Sequence, residues 1–291
     1  MNLSNEAETM TVTAVSVDGI AALPYVAGVV GYYEGSATME DCTNMASIEF
    51  TSPRQTGQMY LGGILGRSTD AKRTYLRLKN YGSINATVLT SSNGSFNYIG
   101  GVAGTDKQNQ TYSYCENHGN IGFEGVMKMR IGGIAAYMNQ TANNSIVKAD
   151  ITAKCTNNNY SEIGGVVAYT AATSLNDWTY EGSIDTSEST AEVYTGGLLG
   201  KSNGKSNFNG CSFKGEIKTA EGNNAPGLYV GGLQADQLAM TFGNSAQCTV
   251  ASGSKLNNSE VTQLNLNNLV SQSSDSGTFT STATLTNIII K

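Results

Sequence analysis

The sequence predicts an all-β protein, a parallel β-solenoid of about seven coils with a C-terminal cap. Three observations carry this: a composition rich in turn residues, a glycine-pair motif recurring at 32 to 38 residues, and a second motif whose apolar positions alternate with period two. The chain has 291 residues with 34 glycines, 29 asparagines and 3 prolines, and only 14% are charged. Its 15 tyrosines and 7 phenylalanines, with many branched aliphatics, provide enough apolar surface to fold, so disorder is excluded.

The stretch before residue 25 alternates apolar and polar residues in MTVTAVSV and is expected to pair as a strand onto the first coil. Domain organisation is therefore assigned as 1–24 lead-in strand, 25–251 repeats and 252–291 cap. The glycine motif occurs as YVAGVVG (25–31), YLGGILG (60–66), YIGGVAG (98–104), RIGGIAA (130–136), EIGGVVA (162–168), YTGGLLG (194–200) and YVGGLQA (229–235). The first residues of the pairs are Ala27, Gly62, Gly100, Gly132, Gly164, Gly196 and Gly231.

The second motif closes on isoleucine in CTNMASI, LKNYGSI, CENHGNI, SIVKADI, WTYEGSI and CSFKGEI, at Ile48, Ile84, Ile121, Ile151, Ile184 and Ile217. Six residues before that isoleucine stand Cys42, Leu78, Cys115, Ser145, Trp178 and Cys211; four before, Asn44, Asn80, Asn117, Val147, Tyr180 and Phe213. Side chains spaced by two share one face of a strand, so these positions form internal ladders when coils stack. Helical arrays of similar period are excluded because glycine interrupts every candidate helix. Each unit thus reads as two strands joined by loops of variable length. The tail from Ser252 leaves the repeat and is expected to hide the open end of the stack.

Several function classes lose their footing. A pI near 4.9 and a net charge of −6 give no basic field for nucleic acid. No apolar run is long enough to span a membrane as a helix. One histidine, His118, and five cysteines without a C-x-x-C pair cannot make a zinc or redox motif, and calcium-loop patterns are absent. No cofactor and no metal is therefore expected. Cys115 and His118 point to opposite faces of a strand and cannot form a dyad.

Cys42, Cys115 and Cys211 share a ladder position on non-adjacent coils and are expected to be unbridged core thiols, with Cys155 and Cys248 outside that position. The carboxylates Glu34, Asp70 and Asp106 fall at unequal offsets from their glycine pairs, so no catalytic residue is assigned. They are the first to mutate should the chain degrade polysaccharide. Tyr25, Tyr60, Tyr98, Tyr194 and Tyr229 precede glycine pairs; they read as a stacking ladder, with a sugar-binding strip that includes Trp178 as the rival.

These units resemble the GLUG-motif repeats of bacterial surface proteins, in which a GGhhG run precedes a C-x-N-x-G-x-[IV] strand. The fullest matches are Gly62-Gly63-Ile64-Leu65-Gly66 with Leu78-x-Asn80-x-Gly82-x-Ile84, and Gly100-Gly101-Val102-Ala103-Gly104 with Cys115-x-Asn117-x-Gly119-x-Ile121. SGSKLNNSEVT (252–262) is similar to segments that end repeat arrays in Bacteroidetes surface proteins. The resemblance implies a secreted or outer-membrane-attached module whose leader is absent from this sequence. Such a module is non-enzymatic and monomeric, and it binds a host or bacterial surface glycan or protein or acts as a spacer. A polysaccharide-binding or polysaccharide-degrading β-helix is the alternative.

Overall fold

The computed structural model describes residues 2–15, 22–35, 37–69, 72–105, 110–140, 142–156, 159–171, 174–203, 206–221, 226–233, 240–243, 245–271 and 287–291. Over these residues the chain winds as a parallel β-solenoid of about six turns, one fewer than the motif count suggested. The isoleucine ladder is its spine. Met10, Ile48, Ile84, Ile121, Ile151, Ile184, Ile217 and Leu256 pair in register from coil to coil. All six isoleucines are buried, each worth about 2 kcal/mol relative to exposure. The lead-in strand Thr9–Val15 lies parallel on Ser47–Arg54, as its alternation required.

Each coil carries more strand than the two expected. Strands such as Tyr60–Gly62 form one sheet; after the glycine bend, strands such as Leu65–Ser68 run beside it. The variable loops contain a further sheet, including Arg73–Leu76, Gln110–Ser113 and Ser206–Asn209. Beyond the Thr-Tyr shared by Arg73–Leu76 and Gln110–Ser113 its members differ in sequence, yet Tyr75, Tyr112, Leu175, Phe208 and Phe242 all point into the core. A left-handed residue then turns the chain toward the cysteine position in six units: Asp41, Arg77, Tyr114, Asn144, Asp177 and Gly210, with φ between 51° and 63°. Only Gly210 adopts this conformation without steric cost.

The two sequence motifs recur together for a packing reason. Asn80 lies over Gly63 and Asn117 over Gly101, so closely that a β-carbon on either glycine would collide with the amide. Val147, Tyr180 and Phe213 press in the same way on Gly133, Gly165 and Gly197. The asparagines also bond along the stack. Asn5 Nδ2 donates to Asn44 Oδ1 at 3.1 Å, Asn44 to Asn80 at 2.8 Å, and Asn80 to Asn117 at 2.7 Å. The amides of Asn44, Asn80 and Asn117 each donate also to the carbonyl two residues on, at 2.8 to 3.0 Å. Val147 ends this ladder, and Tyr180 and Phe213 replace it with stacked rings 5.9 Å apart.

The last unit departs from the expected register. Gly196 bridges to Gly227 and Leu199 to Val230, so the seventh pairing begins four residues before Gly231. Tyr229 consequently takes the inward position of Leu198 and is fully buried, rather than extending the tyrosine file. Within the assigned cap, Lys255–Leu256 and Ser259–Glu260 form an antiparallel pair, the short helix Leu266–Leu269 packs by Leu228 and Tyr229, and Ile288–Ile290 adds a strand to Cys248–Val250.

Candidate functional site

The tyrosines before the glycine pairs form a stacked file, as the ladder reading expected. Tyr25, Tyr60 and Tyr98 are in register, with ring centroids 5.5 and 5.1 Å apart. The file continues through Arg130 and Glu162 to Tyr194. Across the glycine bend stand Arg67, Tyr137, Tyr169 and Lys201, whose cations and rings interleave with the file. Arg67 lies 4.5 Å from the Tyr60 centroid, Arg130 4.0 Å from Tyr169, and Lys201 4.1 Å from Tyr194.

Arg130 Nε and Glu162 Oε2 meet at 2.5 Å, while Glu162 Oε1 is buried without a hydrogen-bond partner. Burial pushes the Glu162 carboxyl up against the opposing pull of Arg130. Tyr60, Tyr98, Tyr169 and Tyr194 are buried, so this file is mortar rather than a sugar platform. Trp178 is also fully buried, in the cysteine ladder position, which removes it from the candidate contact residues.

What remains on the surface is a different set. On the outer face of the long sheet, the residues after the isoleucines are Asn85, Gly122, Thr152 and Asp185, with Thr87, Glu124 and Lys154 alongside. The missing side chain at Gly122 leaves a shallow groove of about 300 Å³ across these coils. Lys154 spans it, 3.1 Å from Glu124 and 3.5 Å from Glu188. Asp185 accepts from its own turn, Ser187 N at 2.9 Å and Ser187 Oγ at 2.6 Å.

A second exposed patch lies near the αL corners. Tyr81 stacks on His118 at 4.8 Å, beside Met45, and Tyr114 stands out nearby; Tyr81 and Tyr114 are 41% and 54% exposed. Glu116 joins this patch to Lys79 at 2.8 Å and to His118 at 3.0 Å. Burial pushes the Glu116 carboxyl up, but its bonds from Lys79 and His118 outweigh that and hold it below its ordinary value. Sequence reasoning missed Tyr81 because it sits between motif positions; its signal was the residue following the ladder asparagine.

Cys115 is buried and His118 is partly exposed on the other side, so they do not meet. All five cysteines are unbridged and buried. Cys248 proves to share the ladder position, because Ser212 pairs with Thr249 and Phe213 with Val250, which sets Cys248 against Cys211. Cys155 belongs to another row, opposite Gly125. Burial pushes the Cys115 thiol to about 12 and the Cys155 thiol to about 11, which makes both inert at neutral pH. Glu34 is exposed, and Asp70 and Asp106 lie outside the described residues. Among the described residues no group of three or more His, Cys, Asp or Glu is placed to hold a metal ion, and no helix is long and apolar enough to cross a membrane. No protein family, curated protein or solved structure matches the chain.

Proposed function

We propose that this chain is a non-enzymatic extracellular repeat module, an adhesin-like binding or spacer domain displayed on a bacterial surface. The observation that supports it best is where the reactive side chains go. The repeated cysteines, asparagines and most motif tyrosines are buried in ladders that bond one coil to the next, so the repeat invests its chemistry in a stiff stack. The outer faces carry short polar side chains and paired charges of both signs, which suits spacing or reversible recognition. The GLUG-like motifs support the surface location.

Binding of a host or bacterial surface glycan or protein is assigned to the exposed patch around Tyr81, His118 and Tyr114, together with the variable loops. The test is a glycan array probed with the protein and with Tyr81→Ala. Binding that is lost in the variant supports recognition there; binding that persists unchanged removes that patch from the reading.

The groove over Gly122 favours the alternative, a polysaccharide-binding or polysaccharide-degrading protein, because it crosses several coils as an extended ligand would. Glycoside hydrolysis needs one carboxyl poised as acid and one as base or nucleophile. Glu124 and Glu188 are instead both engaged by Lys154. Release of reducing ends or unsaturated sugars from a glycan panel would overturn the non-enzymatic proposal.

A further inference from the structure

Cys211 and Cys248 stand alone among the five cysteines in being neighbours along the stack. Cys42 and Cys115 are separated by the coil bearing Leu78, and Cys115 faces Ser145 on its other side, whereas no residue intervenes between Cys211 and Cys248. The strands are in register from Ser212↔Thr249 onward, and Thr249 N donates to Cys211 O at 2.9 Å. Residues so paired on adjacent parallel strands lie about 4.8 Å apart, inside the Cα separation that a disulfide spans. Both thiols turn inward, Cys211 Sγ donating to Leu175 O at 3.3 Å and Cys248 Sγ to Phe208 O at 3.2 Å. The Tyr229 hydroxyl clamps the same place from inside the core, between Cys211 O at 2.7 Å and Thr249 O at 3.0 Å.

We propose that Cys211 and Cys248 are a disulfide-forming pair that bolts the last long-sheet coil to the one before it, closed by exchange with a disulfide oxidant. The thiolate of Cys248 attacks one sulfur of the oxidant, whose S–S bond breaks and releases one thiol. Cys211 then attacks the mixed disulfide at Cys248 and displaces the second thiol. Two cysteine thiols are oxidised, one disulfide is reduced to two thiols, and the two cysteine protons end on the released thiols. Order of attack follows from the pair's asymmetry. Interaction with Cys211 lowers the Cys248 thiol, while burial and the same interaction push Cys211 up. Access follows from position: among the described residues, the outer edge of Cys248–Val250 is covered only by Ile288–Ile290, so exchange precedes docking of that strand.

The test is refolding of the full chain with oxidised glutathione, alkylation of residual thiols, and non-reducing tryptic mapping. The expected product links peptide 206–214 to peptide 219–255, with Cys42, Cys115 and Cys155 alkylated. Its unfolding midpoint is expected to exceed that of the reduced protein, and dithiothreitol to reverse the gain. Cys248→Ser is expected to keep the reduced protein's midpoint under both conditions, and Cys211→Ser serves the same purpose should Cys248→Ser not fold. Alkylation of all five cysteines after oxidative refolding, or any other pairing, overturns the proposal.

Discussion

Replacing Asn80 by valine measures what the asparagine ladder contributes, because Val147 already occupies the corresponding position over Gly133. Asn80 donates to Asn117 Oδ1 at 2.7 Å and to Gly82 O at 2.8 Å, and accepts from Asn44 Nδ2 at 2.8 Å. All three ladder asparagines are fully buried, so water cannot replace what the substitution removes. Three buried bonds are lost at about 1 kcal/mol each, giving an expected loss of about 3 kcal/mol. Asn117→Val breaks one bond between coils rather than two but also loses the bond that Asn117 Oδ1 accepts from Gly119 N at 3.3 Å, so it is expected to cost about as much, about 3 kcal/mol. Changing Asn44, Asn80 and Asn117 together to valine removes donors and acceptors at once, so it is expected to cost clearly less than the three single changes added. Urea unfolding followed by Trp178 fluorescence reads all of these. Asn80→Val within about 0.5 kcal/mol of the parent, or strict additivity in the triple variant, would refute the reasoning.

Ile121→Asp sets an unpaired charge between Ile84 and Ile151 and is expected to lower stability by more than about 4 kcal/mol; an unchanged melting curve would contradict the register. Tyr114→Gly relieves a left-handed residue of φ 55° that is largely exposed, so a gain of about 0.5–1 kcal/mol is expected, and a lower melting temperature would show that its ring packs in solution. Glu116 is held below its ordinary value, so its contribution is complete above the ordinary carboxylate range and fades as pH falls through the lowered one. The stability difference between the parent and Glu116→Gln is therefore expected at neutral pH and lost in acid; a difference that grows on acidification would reverse the assigned direction.

The isoleucine and tyrosine ladders were legible because they repeat at fixed offsets within one strand, where the pleat alone sets which side chains share a face. The loop sheet was harder to read, since RTYL and QTYS share Thr-Tyr but SNFN keeps only the alternation, and burial rather than identity unites the row. The last unit was misread for a sharper reason. Its glycine pair at 231–232 copies the motif, yet Gly227 satisfies the bend against Gly196. Likewise Cys248 escaped alignment because Leu256 follows it by eight residues where Ile217 follows Cys211 by six, a turn at Gly253 with φ 80° taking up the excess. Trp178 belongs to the same lesson: an aromatic side chain in a repeat position inherits the burial of that position, whatever its chemistry suggests.

The handover from Asn117 to Val147 to Tyr180 divides the repeats into two dialects. Units carrying asparagine at this place require an amide neighbour, and those carrying rings require a ring; valine asks for neither and so can border both. Duplication or exchange of units is therefore permitted within a dialect and obstructed between them, since setting Asn80 directly against Tyr180 would leave an amide facing a phenol ring in a dry core. A lengthened version of this rod, natural or engineered, should grow by copying units on one side of Val147 or the other, with that unit kept as the single joint.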